Sequence, residues 1–131
     1  MNVKNEKEWL FQAEYDLFAA EKVFEIGLYP YTIFMSHLAV ENALKAVYYH
    51  KLQKEPPRIH NLSQLVQRLN LNPPADLVDF LTDFSSMSVP AKYPDDLKSV
   101  FGKFNKKQTK VILSKSKKVM KWLKKELTQK S

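Results

Sequence analysis

The feature that most constrains the fold is a helical spacing of apolar residues near the start of the chain. These residues recur three and four positions apart, at Leu10, Ala13, Leu17, Ala20 and Phe24. Such a series places its members on one face of an α-helix, as in the seam of a coiled coil. The chain also has only two glycines, and its apolar residues lack the two-residue alternation of a strand. The sequence therefore predicts an all-α fold.

Glycine, proline and asparagine residues divide the chain into five predicted helices. In chain order, these helices end near Gly27, run from Pro30 to about Leu52, begin at Asn61, begin at Asn72, and run from about Asn105 to Leu127. Three are long and two are short, and the chain contains no repeat. We expect a single domain over residues 1–131, folded as an antiparallel up-down bundle of four or five helices.

The composition excludes several classes of protein. The chain has no cysteine, which rules out iron–sulfur clusters and thiol nucleophiles. Its longest stretch without a charged residue, 26–40, contains a glycine and a proline. That stretch is shorter than the ~20 apolar residues of a membrane span. The start of the chain has no apolar run typical of a signal peptide. We expect a cytoplasmic protein that does not associate with membranes.

The positive charge is concentrated at the end of the chain. Residues 98–131 contain twelve lysines and one acidic residue, an excess larger than the +7 of the whole chain, so the preceding residues are net acidic. A basic helix on an acidic body indicates an anionic partner, either a nucleic acid or an acidic protein surface, although many basic helices are simply solvated. The candidate nucleic-acid contacts are Lys110, Lys117, Lys121 and Lys124.

No motif predicts a metal or a cofactor. His37 and Glu41 form the one histidine–carboxylate pair at helical spacing on the second predicted helix, and two ligands do not make a site. A buried histidine satisfied by hydrogen bonds is the simpler interpretation. The chain also lacks a glycine-rich phosphate loop and a serine in a nucleophile elbow. We therefore expect neither a metal site nor an ordinary nucleotide hydrolase or esterase.

Glu41 and Lys45 interrupt the apolar surface of the second predicted helix. Their spacing of four residues suits an exposed ion pair worth about 0.2–0.5 kcal/mol. Apolar and small residues fill most of the circumference of this helix, so the pair could equally lie in a groove, where each charge needs a partner. The sequence leaves both interpretations open.

The segment between the fourth and fifth predicted helices contains the sequence "KYPDD". Long loops without regular structure are often functional. Lys92 could contact a phosphate while Tyr93 stacks on a base, and His60 in an earlier connector could act as a donor or as an acid or base. The alternative is a β-turn whose tyrosine packs on the bundle. Chemistry alone does not separate the two.

The order of these motifs resembles the HEPN family, the higher-eukaryote and prokaryote nucleotide-binding domain. That family has a tryptophan before an Ala-x-x-Asp-Leu-x-x-Ala helix, a Glu-x-x-x-Lys-Ala helix, a His-x-Leu ahead of a short helix, and an Arg-Tyr-Pro-Asp loop. The matching residues are Trp9, Ala13, Asp16, Leu17, Ala20, Glu41, Lys45, Ala46, His60, Leu62, Tyr93, Pro94 and Asp95, with Lys92 in place of the arginine. The resemblance spans nearly the whole chain, and the motifs occur in the order typical of the family.

The resemblance implies a helical bundle that binds a nucleotide or nucleic acid. It also implies a partnership with a small nucleotidyltransferase in a toxin–antitoxin-like pair, and commonly a homodimer. Carried over position by position, the implied nucleotide-binding residues are Asp16, Glu41, Lys45, His60, Lys92, Tyr93 and Asp95.

The chain departs from the ribonuclease branches of this family in one respect. Those branches carry an arginine followed by a histidine four to six residues later, near the last helix. Here Arg58 and Arg68 lack that spacing, and no histidine follows His60. We therefore predict a binding module rather than an enzyme. The alternative is a metal-independent ribonuclease that uses His60 and the loop containing Lys92 and Tyr93.

Aromatic residues provide an argument for the homodimer that does not depend on the resemblance. They are more numerous than the core of one thin bundle needs, and large exposed apolar patches mark interfaces. The residues concerned are Trp9, Phe11, Phe18, Tyr29, Tyr31, Tyr48, Tyr49 and Trp122.

Overall fold

A computed structural model of the chain describes residues 4–85 and 104–129. Within those ranges it contains five helices and no strand. The helices are α1 (Glu6–Glu25), α2 (Tyr29–Leu52), α3 (Leu62–Arg68), α4 (Ala75–Ser85) and α5 (Lys106–Thr128). The predicted all-α helical bundle is confirmed.

Helix ends coincide with the predicted residues Gly27, Asn61 and Asn105, and the structure adds a cap at Asn5 that the sequence analysis did not identify. Asn5 and Asn105 each begin a capping box, in which the asparagine side chain and a residue three positions later bond each other's backbone N–H groups. The side chain of Asn61 accepts a hydrogen bond from the backbone of Gln64 at the start of α3. Gly27, just after α1, has a φ of +81°, a conformation that glycine adopts without the penalty of a Cβ atom.

The fourth helix differs slightly from the prediction. It begins at Ala75 rather than directly after Asn72. Pro73 is followed by Pro74, and a residue before a proline is disfavoured in the helical conformation. The first helical turn therefore forms after Pro74, whose carbonyl accepts a hydrogen bond from the backbone N–H of Leu77 at 2.8 Å.

α2 is the central element of the bundle, packing against α1, α3 and α5. The side between α1 and α2 contains fully buried alanines, which let the two backbones approach closely. These are Ala13 and Ala20 of α1 and Ala39, Ala43 and Ala46 of α2. Leu44 and Val47 of α2 join apolar residues from the other helices in one core. Because α2 is covered on several sides, polar residues on it are buried as well.

No helix that the structure describes has both the length and the apolar character needed to cross a membrane.

Candidate functional site

Glu41 is a charged residue at the buried centre of α2, with 4% of its surface exposed. Its Oε2 atom accepts hydrogen bonds from Lys45 Nζ at 3.0 Å and from His60 Nδ1 at 2.9 Å. A buried carboxylate is costly unless it is paired and hydrogen-bonded, and here both conditions are met. The structure thus decides between the two interpretations of the Glu41–Lys45 pair: it is buried and shares a third partner.

His60 connects this buried pair to the surface. It lies in the connector before α3, where the Asn61 cap and the fully buried Leu62 fix the backbone. Its side chain is 73% exposed although Nδ1 lies 2.9 Å from the Glu41 carboxylate. A carboxylate only accepts hydrogen bonds, so Nδ1 carries the proton and donates. In the neutral ring, Nε2 is then an acceptor available to a ligand or a water molecule.

Lys45 is held by two contacts. Besides its bond to Glu41, its ammonium group lies 5.5 Å from the centroid of the Trp9 ring. Lys4 Nζ lies 4.7 Å from the same ring. Ammonium groups within about 6 Å of an aromatic centroid are attracted to the ring face. Trp9 therefore supports the cation that balances the charge of Glu41.

Asp16 belongs to a neighbouring but separate hydrogen-bond network. Its carboxylate accepts bonds from Gln12 Nε2 at 2.9 Å and from Asn42 Nδ2 at 2.8 Å. Burial raises the pKa of Asp16, and the nearby carboxylate of Glu41 adds to the rise, while the two amide bonds lower it. The Asn42 bond joins α1 to α2. Among the described residues, Asp16 is thus positioned by two amides and not by Lys45.

Sequence reasoning missed Gln12 and Asn42 as site residues. Gln12 precedes Asp16 by four positions, a spacing at which side chains on a helix meet, so that contact could have been found. Asn42 follows Glu41 directly and points to α1 instead of His60. No spacing within α2 signals that contact, because it depends on how the two helices are rotated against each other.

His37 lies one helical turn before Glu41 but does not bond to it. Its Nδ1 atom is 3.9 Å from Glu41 Oε1, too far for a hydrogen bond. Its Nε2 atom is buried and has no hydrogen-bond partner among the described residues. The ring packs edge-on against Phe84, with centroids 5.1 Å apart. Burial lowers the pKa of His37 to about 4, so the ring is neutral at pH 7.

In the described part of the chain, no three histidine, aspartate or glutamate side chains group as ligands of a metal ion. The residues of the predicted "KYPDD" site, Lys92, Tyr93 and Asp95, lie outside the described residues.

The four candidate lysines of α5 fall into two pairs. Lys117 Nζ lies 3.5 Å from a Glu21 carboxylate oxygen, and Lys124 Nζ lies 3.1 Å from Glu14. These contacts join α5 to α1. Lys110 and Lys121 are exposed and make no ion pair with the residues that the structure describes. Two of the four predicted nucleic-acid contacts therefore also take part in weak, exposed ion pairs with α1.

Comparison with known structures supports the fold. The crystal structure of TT1696 from Thermus thermophilus has a TM-score of 0.76 at 22% sequence identity, covering 92% of this chain and 97% of that one. ST0689, an archaeal HEPN homologue, has a TM-score of 0.77 at 22% identity, covering 96% of this chain and 100% of that one. At these identities, the similarity establishes a shared fold.

A comparison with curated proteins finds no match. A family model described as the HEPN domain matches residues 6–127, nearly the whole chain. The match includes α1, the central α2 with Glu41 and Lys45, the His60 connector and all but the end of α5. The chain therefore belongs to the HEPN domain family.

Proposed function

We propose that this chain is a binding module for a nucleotide or nucleic acid, with His60 as the residue that meets the ligand. The observation that carries the proposal is the pairing of an exposed imidazole with a buried carboxylate. Glu41 orients the ring through Nδ1, while Lys45 balances the carboxylate charge. An oriented Nε2 can accept from a ribose hydroxyl, or donate to a phosphate when the ring is protonated. Lys92 and Tyr93 remain proposed ligand contacts.

The basic surface of α5 supports a polyanionic ligand. Lys110 and Lys121 lie eleven positions apart, close to three helical turns, so they share one exposed face. Lysine is a compact point charge that suits phosphate contacts and carries little base specificity. We therefore propose that α5 contacts the phosphate backbone with little sequence preference.

The proposed protein partners follow from membership of the family. We propose a small nucleotidyltransferase-domain protein, in a toxin–antitoxin-like pair, and a homodimer of this chain. The lysine-rich α5 would suit an acidic partner surface. The test is to co-express the chain with a nucleotidyltransferase encoded beside it and to weigh the purified complex. Elution of the two proteins as separate species would contradict the partnership.

A second candidate, a metal-independent ribonuclease, is favoured by the same dyad of Glu41 and His60. A carboxylate bonded to Nδ1 orients an imidazole as a general base, here with Nε2 facing solvent. That atom would take the proton of a ribose 2′-hydroxyl while the 2′-oxygen attacks the adjacent phosphorus. The bond from phosphorus to the 5′-oxygen would break, and the 5′-oxygen would take a proton from water. The missing arginine–histidine motif argues against it, since that motif serves the ribonuclease branches of the family.

The binding proposal is tested by titrating labelled single-stranded RNA at several salt concentrations. The first variant, Lys110→Gln with Lys121→Gln, removes the unpaired charges. The second, Lys117→Gln with Lys124→Gln, removes the same total charge from the lysines paired with α1. If the exposed face binds RNA, the first variant should shallow the slope of log K against log salt by roughly 0.7 per lost contact. The second should change it less, and equal slopes for both variants and wild type would rule out this face.

The ribonuclease alternative is distinguished from the binding-only proposal by following RNA cleavage over time in the presence of a metal chelator. Cleavage by wild type that disappears in His60→Ala and persists in Asp79→Asn, an exposed substitution on α4 outside the proposed binding residues, would replace the binding-only proposal. The binding-only proposal is supported if all the proteins bind RNA without cleaving it and His60→Ala binds it more weakly. If wild type binds neither RNA nor a nucleotide at low salt, both proposed functions are contradicted.

A further inference from the structure

The outer face of α1 carries an unusual stripe of exposed aromatic side chains. Phe11, Tyr15 and Phe18 are 69%, 62% and 57% exposed, respectively. The rings of Phe11 and Tyr15 lie 6.1 Å apart, and Lys22 Nζ lies 5.3 Å from the Phe18 ring. The buried alanines of α1 face α2 on the opposite side. No described residue covers the stripe, which differs from scattered surface apolar residues in being continuous along the helix.

The ends of the stripe carry opposite charges. Glu8 precedes Phe11 by three positions and Lys22 follows Phe18 by four, so the sequence of the stripe is acid, aromatic, aromatic, aromatic, base at 3-4-3-4 spacing. Both charged residues are exposed. Glu8 makes a long capping contact of 3.5 Å, and Lys22 makes one exposed ion pair of 3.6 Å with Glu25. Exposed pairs of this kind are weak, so both charges remain available to a partner.

We infer that this stripe binds the same stripe of a second copy, with the two α1 helices antiparallel. A two-fold axis at Tyr15 places the aromatic side chains against one another and each Glu8 opposite Lys22 of the second copy. Parallel pairing would instead oppose like charges at both ends. The 3-4-3-4 spacing suits helices that cross at about 20°. Self-complementarity about a two-fold axis is what an isologous dimer requires, and it is why the second copy fits better than an unrelated protein.

The antiparallel register would bring the second copy over the surface beside Phe11. A pocket with a volume of about 380 Å³ is lined by Lys4, Asn5, Lys7, Glu8, Phe11 and Gln12. In the antiparallel register, Phe18 and Lys22 of the second copy lie over this region. An aromatic side chain buries roughly 150–250 Å² when it is enclosed. Three such residues from each copy form an apolar centre, and the charged ends form the polar rim that interfaces typically have.

This inference rests on the homodimer proposed above and gives it a surface. The interface uses the outer face of α1, whereas Glu41 and His60 lie elsewhere, and its test measures the mass of the protein rather than RNA binding. Sedimentation equilibrium of wild type at micromolar concentrations should give about twice the monomer mass of 15.3 kDa. A monomer at all concentrations up to the millimolar range would overturn the inference.

The register is tested by charge reversal at the two ends. Glu8→Lys places lysines opposite each other in its homodimer, and Lys22→Glu does the same with glutamates. Each variant alone should dissociate roughly two- to fivefold more readily than wild type, as expected for exposed charge pairs. An equimolar mixture should recover wild-type affinity as a heterodimer, because a lysine then faces a glutamate at both ends of the stripe. Single variants that associate like wild type, or a mixture that does not recover, would overturn the antiparallel register.

The centre of the stripe is tested by Tyr15→Asp. Two carboxylates would meet at the two-fold axis, and the dissociation constant should rise by more than about tenfold. Val111→Asp is the matched control, since Val111 is 48% exposed on α5 and lies outside the stripe. Circular dichroism should show native helicity for both variants because both side chains are exposed. A dimer that survives Tyr15→Asp, or is lost in Val111→Asp alone, would place the interface elsewhere.

Discussion

At the scale of single residues, the carboxylate of Glu41 keeps both Lys45 and His60 paired. Lys45 is buried, and removal of one member of a buried pair leaves an uncompensated charge. We therefore expect Glu41→Gln to lower the free energy of unfolding by about 3 kcal/mol. Chemical denaturation followed by circular dichroism measures this.

The matched variant removes both charges. Glu41→Gln combined with Lys45→Met should recover much of the lost stability, because the ammonium group is no longer buried without a counter-ion. A double variant as unstable as the single one would show that Lys45 does not depend on Glu41. The same variants should lose the orientation of His60, which would weaken RNA binding even where stability recovers.

His37 gives the fold a pH dependence. Its pKa is about 4 in the folded chain and 6.5 when unperturbed. Between these values the unfolded chain binds a proton that the folded chain does not, so acidification favours unfolding. The stabilising effect is complete above pH 6.5 and is lost as the pH falls toward 4. The loss should be at most about 1.4 kcal/mol per pH unit.

The contribution of His37 is isolated by comparison with His37→Phe. Phenylalanine fills similar space against Phe84 and does not titrate. The raised pKa of Asp16 acts in the opposite direction, stabilising the folded chain on acidification, and is shared by both proteins. Urea denaturation between pH 4 and 7 should therefore show a smaller acid loss for the variant. Parallel stability curves would contradict this account of His37.

At the scale of helices, capping determines where α5 begins. Asn105 accepts from the backbone N–H of Gln108 at 2.9 Å, and Gln108 Oε1 accepts from the backbone N–H of Asn105 at 3.1 Å. We expect Asn105→Ala to lower the free energy of unfolding by about 1 kcal/mol, because it leaves a helical N–H without its acceptor. Asn105→Ser, which restores an acceptor, should lose much less. Equal losses in thermal denaturation would contradict the capping explanation.

At the scale of the whole molecule, His50 holds three chain segments together. Its Nδ1 atom lies 2.8 Å from Glu6 Oε2 at the start of α1, and its Nε2 atom lies 2.8 Å from the Gln129 carbonyl after α5. Each ring nitrogen thus lies within hydrogen-bond distance of an oxygen acceptor from a different chain segment. The contact joins the end of α2 to both ends of the described chain. It thus closes one end of the bundle.

We expect His50→Ala to cost about 2 kcal/mol, the range for hydrogen bonds to charged groups. Hydrogen exchange should quicken in the first turn of α1 and the last turn of α5, and remain unchanged in α3. The exposed neighbour variant Lys54→Ala serves as the control. Exchange that quickens uniformly would mean that His50 stabilises the core in general and not this closure.

The sequence by itself determined the helices and where they end. Local interactions decide these features: the 3-4 spacing of Leu10, Ala13 and Leu17 defines one face of α1, and Asn61 and Asn105 form caps with residues three positions away. The order of motifs along the chain also identified the family. At the start of α4 one local preference overrode another: Asn72 is a suitable cap, but Pro74 disfavours the helical conformation at Pro73, so the helix begins at Ala75.

Only the tertiary structure decided which polar residues work together. Whether Glu41 and Lys45 are exposed depends on what covers α2, and no spacing within α2 reveals that His60, nineteen positions later, supplies the third partner. Likewise Asp16 pairs with Asn42 because α1 and α2 pack in one rotational setting. Lys117 and Lys124 look the same as Lys110 in sequence, yet α1 supplies them with glutamates. Such contacts join residues distant in the chain, so they are fixed by packing rather than by local propensity.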